Sequence, residues 1–83
     1  MDVGAGRMAT KTMDGIVTIV QESRFQLTDD RGVSHLFILG HDTLAEPAQL
    51  EPLQRRQARV RVRYTEPRNI IGLVAKSVTE LAA

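Results

Sequence analysis

The stretch ARVRVRYTEP, residues 58–67, sets Val60 and Val62 between Arg59, Arg61 and Arg63. In an extended chain successive side chains point to opposite sides, so Ala58, Val60, Val62 and Tyr64 share one face and the three arginines share the other. Burying unpaired guanidinium groups would be prohibitive, so the valine side must face a core and the arginines must face water. A row of cations on a wet face has two readings. It can track phosphates, each contact releasing counterions and making binding salt-dependent. It can also be a solvated surface whose charges discourage pairing with other chains. From Arg55 to Arg63 there are five arginines (55, 56, 59, 61 and 63) and no acid, whereas acids gather at Asp29, Asp30, Glu46 and Glu51. The formal net charge is only +1, so any basic patch is local and no global field draws the chain to DNA or anionic lipid.

Stacking is the second chemistry to weigh. The chain has three aromatic rings, Phe25, Phe37 and Tyr64. Phe25 alternates with polar neighbours and belongs to the core. In HLFIL, residues 35–39, His35, Phe37 and Leu39 share one face and Leu36 and Ile38 the other, and only one set can enter the core. If Leu36 and Ile38 go in, Phe37 stands exposed beside Arg24, Gln26 and His35 as a small base-stacking platform; such a contact is worth about 1–3 kcal/mol per base. The same exposed Phe37 and Leu39 would also suit a partner chain or a second copy. If Phe37 goes in, the platform vanishes.

Other chemistry is thin. His35 and His41, with Asp42, are too sparse a set for a metal centre, and none is expected. There is no cysteine, which excludes disulfides and thiolate chemistry and fits a reducing compartment. Ser23, Ser34 and Ser77 have no His–Asp pattern around them, and the G-x-G of MDVGAGRM follows no strand, so a dinucleotide loop fails its own context. No enzyme activity and no cofactor are expected.

These residues need elements to hold them. Residues 1–12 carry no periodicity and read as a flexible N-terminal tail, leaving one domain over 13–83. They contain no apolar segment of the kind that directs secretion, and no run approaches the roughly 18 apolar residues of a membrane helix; a cytoplasmic protein without a membrane partner is expected. DGIVTIVQ is a β-branched strand, apolar on both faces as if covered on two sides. ESRFQLTD alternates cleanly, with Phe25 and Leu27 on one side. DDRG is a hairpin turn in which Gly32 takes positive φ. VSHLFILG is the third strand. In HDTLAEPAQLEPLQRRQ, Thr43 and Glu46 have capping-box spacing, but Pro47 argues for a turn over 44–50 and a short helix from Pro52 to Gln57. Strands over 58–65 and 69–81 follow, the last bent at Gly72.

The order β-β-β-α-β-β, with GIVTIVQESRFQLTDDRG as its opening hairpin, resembles the oligonucleotide/oligosaccharide-binding (OB) fold over residues 14–81. The chief rival is an SH3-like barrel, also small and five-stranded; the leucine-bearing segment of roughly fifteen residues between strands three and four favours the OB reading. The resemblance implies an all-β, five-stranded Greek-key OB-like barrel with one short helix between strands 3 and 4. It implies a small binding module, with weak, sequence-tolerant binding of single-stranded DNA or RNA through Arg24, Phe37, Arg61, Arg63 and Arg68. The alternative is a protein–protein or self-association module.

Overall fold

The computed structural model describes residues 10–40, 43, 47–67 and 72–81. Its elements are β1 (Lys11–Gln21), β2 (Arg24–Asp29), β3 (Ser34–Leu39), α1 (Pro47–Arg56), β4 (Arg59–Thr65) and β5 (Leu73–Glu80). The strands close into one barrel in the order β1-β2-β3-β5-β4, antiparallel at every seam except the parallel β3–β5 pairing. The chain is thus an all-β, five-stranded barrel with one short helix between β3 and β4, compatible with an OB-like barrel.

β1 makes closure possible. Its first half pairs with β4 and its second half with β2, and both partners meet at Gly15, which lies opposite Asp29 on one side and Val60 on the other. A Cβ at Gly15 would sit 2.3 Å from the carbonyl oxygen of Thr28, so only glycine permits this approach. Beyond it, the register with β2 shifts between Val17 and Ile19, a bulge that leaves Thr18 unpaired in the ladder. Gln54 of α1 donates from Nε2 to the Thr18 carbonyl at 2.9 Å, tying the helix to the bulge.

The core follows from strand alternation. Val17, Phe25, Leu27, Phe37, Val60, Val62, Tyr64 and Ala75 point inward, and Leu50 of α1 plugs the barrel. The arginine row behaves as the alternation requires, with Val60, Val62 and Tyr64 buried and Arg59, Arg61 and Arg63 exposed. The Gly32 turn has φ +84°, and the Asp29 carboxylate accepts from the backbone N–H groups of Arg31 and Val33, which is how a short polar side chain fixes a tight turn.

Three expectations are corrected. β1 begins at Lys11, so Lys11 and Thr12 belong to the barrel rather than to the tail. The helix begins at Pro47, not Pro52: proline suits a first helical position, where no internal donor is needed. Pro52 lies inside and forgoes one backbone bond, while buried Leu50 and half-buried Leu53 hold the helix to the core. The helix stops at Arg56, because Gln57 takes φ 52°, the left-handed conformation that ends helices. The Ala58 N–H then returns to the Leu53 carbonyl and the Gln57 N–H to that of Gln54. Finally, the outer side of β1 is not covered, since Ile16 and Ile19 are exposed. The last strand is described from Leu73, after a bend at Gly72 with φ 109°; Asn69–Ile71 lie outside the described residues. No helix among the described residues is long and apolar enough to cross a membrane.

Candidate binding face

Phe37 decides which surface is available. The β2–β3 hairpin sets Phe25 directly opposite Phe37, so the two rings must share a face. They stack with centroids 5.1 Å apart, and Tyr64 meets Phe37 edge-on at 5.3 Å. Phe37 is 0% exposed. The stacking platform and the Phe37–Leu39 docking face are therefore both overturned. With Phe25 and Tyr64 also buried, every aromatic ring of the chain is in the core.

The opposite parity carries the exposed apolar surface. Three cross-strand rows run over the outer face of β1, β2 and β3. Ile16, Thr28 and Ser34 form the first; Ile19, Gln26 and Leu36 the second; Gln21, Arg24 and Ile38 the third, which continues to Val74 on β5. Leu36 is 42% exposed and Ile19 46%. A groove of about 270 Å³ lies between them, lined by Ile19, Gln21, Arg24, Phe25, Gln26 and Leu36. Its polar members are amides and one guanidinium, and Arg24 has no ion-pair partner among the described residues.

The arginine row is arranged differently. Arg61 donates from Nε and Nη2 to the two carboxylate oxygens of Asp14 at 2.8 and 3.0 Å, a fork-to-fork pair across the β1–β4 seam. The guanidinium holds the Asp14 carboxyl below its usual range. Arg59 reaches Asp30 of the β2–β3 turn at 2.6 Å. Two of the three row arginines are thus engaged by acids, and the third, Arg63, has no ion-pair partner among the described residues. Similar ties join Lys11 to Glu66 and Arg56 to Glu80. The Arg56 guanidinium likewise lowers the Glu80 carboxyl.

The expected nucleic-acid residues do not assemble. Arg63 lies opposite Thr12 near the start of β1, whereas Arg24 lies opposite Gln21 at its end. Those positions are separated by roughly 30 Å of strand contour at about 3.3 Å per residue. Phe37 is internal, Arg61 is paired, and Arg68 lies outside the described residues. Ile19, Gln21 and Leu36 were not expected at a site; Gln26 was expected only as a neighbour of the Phe37 platform.

Asp29 and His35 form the remaining polar cluster. His35 Nε2 donates to Asp29 Oδ2 at 2.9 Å. That bond, with the backbone N–H of Val33, lowers the Asp29 carboxyl to about 2. The same carboxylate closes the turn, so the cluster is accounted for by turn geometry. No group of three or more His, Asp or Glu side chains suited to a metal occurs among the described residues; His41 and Asp42 lie outside them.

Fold and face together define a closed five-stranded β-barrel with an uncommitted apolar groove on its β1–β3 side. No family model, curated protein or solved structure matches the chain.

Proposed function

We propose that the protein is a non-enzymatic binding module of the OB-like class that works through the outer face of β1–β3, with a second copy of the chain as occupant. The exposure of Ile19 on β1 and Leu36 on β3, on either side of Gln26 on β2, carries this reading: large aliphatic side chains clustered around a groove are what a docking surface supplies. A two-fold contact requires one patch to complement itself. Arg24 lines the groove and Glu22 lies in the adjoining β1–β2 turn, both exposed and of opposite charge, so each copy offers the partner of the other's charge. Light scattering over a concentration series tests the reading. A concentration-dependent dimer is expected, together with a folded monomer for Leu36→Asp. A wild type that stays monomeric at every concentration sinks it.

Weak binding of single-stranded nucleic acid is the second reading. It is favoured by Arg24, a cation beside Gln21 and Gln26, on the face where OB barrels hold oligonucleotides. With no ring to stack on, such binding would rest on phosphate contacts and fall steeply with salt. Titrating the labelled protein with short single-stranded DNA and RNA at low and physiological salt separates the two. Salt-sensitive shifts at Gln21, Arg24 and Gln26 that Arg24→Glu abolishes would put nucleic acid first.

A further inference from the structure

A second surface lies at the other end of β1 and is independent of the Leu36 face. β2 pairs with β1 only as far as Gly15↔Asp29, then turns away through residues 30–33. Among the described residues, the backbone of Lys11–Asp14 is therefore strand-paired on its β4 side alone. Among the described residues, the line along which β2 would have continued is open. It is a cleft of about 420 Å³, walled by Thr12, Met13 and Asp14 on one side and by Asp29–Arg31 and His35 on the other, with Arg61 beside Asp14.

An unpaired strand edge is a template for another strand, and charged side chains on the edge are a usual protection. Here those charges are neutralised by pairing. Lys11 is held by Glu66 at 2.5 Å and Asp14 by the fork of Arg61, both partners lying on or just beyond β4. The cleft's other acids are also engaged, Asp29 by His35 and Asp30 by Arg59. Arg31, exposed on the turn, is the cleft charge with no ion-pair partner among the described residues.

From this geometry we infer that the cleft accepts an extended segment of a partner protein as an added strand on Lys11–Asp14, with an acidic side chain of the segment meeting Arg31. The recognition is that of strand addition: main-chain bonds give affinity, and alternate side chains give specificity. About four residues of added strand span roughly 13 Å, the reach of the open edge.

The test uses the full-length, 15N-labelled chain and a capped hexapeptide of alternating threonine and valine with one central glutamate. The amides of Thr12, Met13 and Asp14 should shift and their hydrogen exchange should slow. Methylating alternate peptide nitrogens, which removes the ladder donors without touching the protein, should abolish both effects. Arg31→Glu should weaken binding about threefold, as loss of one exposed charge pair does, and a central lysine in the peptide should reverse that preference. Absence of shifts at residues 12–14, or shifts unaffected by N-methylation, would overturn the proposal. Shifts confined to Ile19 and Leu36 would overturn it too, while leaving the first face standing.

Discussion

The barrel's two outer faces invert what their composition advertises. The β4 side of β1 carries Arg59, Arg61 and Arg63, the most conspicuous chemistry in the chain, yet acids engage two of those three side chains. The β2–β3 side is nearly neutral, and there Ile19, Leu36 and Arg24 stand exposed around a groove. Charge density is thus a poor guide to availability. An arginine bonded to a cross-strand aspartate contributes little field for a ligand, while an outward leucine has no structural account of its own.

The largest test of this contrast is the parity of β3. Phe37→Ala should destabilise the fold by about 3–5 kcal/mol, the usual loss for a buried ring, whereas Leu36→Ala should leave the denaturation midpoint almost unmoved. Equal effects in chemical denaturation would erase the distinction between inner and outer rows. Next in size is the seam where both faces begin. Gly15→Ala places a methyl group against the Thr28 carbonyl. It should cost about 1–3 kcal/mol as overpacking, again read from the midpoint.

Much of this architecture is legible in the chain alone. The alternation of Val60, Val62 and Tyr64 with arginines orients β4 without ambiguity, and Asp29 with Gly32 marks the hairpin. The parity of β3 was within reach as well. Once Asp29 is bonded to Val33, counting back along both strands sets Leu27 opposite His35 and Phe25 opposite Phe37. A core Phe25 then forces Phe37 inward. Local pattern cannot show which acid meets which arginine, because Asp14 and Arg61 are 47 residues apart and meet only when the barrel closes. Nor does spacing show that Pro52 can sit inside α1, since buried Leu50 outweighs one lost backbone bond only in the tertiary setting.

Smaller effects sharpen the contrast from the polar side. Asp29 titrates near 2 in the folded chain against 3.8 ordinarily. Its contribution to stability is therefore complete above about pH 4 and is lost as pH falls toward 2. Thermal melts between pH 5 and 2 should show this acid limb, and Asp29→Asn should flatten it. Smallest is the seam pair. Reversing Asp14 or Arg61 alone should lower the melting temperature slightly, and the double exchange, Asp14→Arg with Arg61→Asp, should restore most of it. A double exchange no better than the two single changes combined would mean that the fork adds nothing beyond its two separate charges.

The division of β1 between two partners also has a consequence for kinetics. Its pairing with β2 needs only the two-residue turn at Glu22 and Ser23, while its pairing with β4 must close a far longer loop, as the separation of 47 between Asp14 and Arg61 measures. Loop closure costs more as the intervening chain lengthens, so the three-strand meander can form early and the β1–β4 seam late. Interactions made after the folding barrier act on the rate of unfolding and leave the rate of folding nearly alone. Added salt, by screening the Asp14–Arg61 fork, should accordingly raise the unfolding arm of a chevron plot while the folding arm stays in place. A shift confined to the folding arm would mean that the barrel closes first.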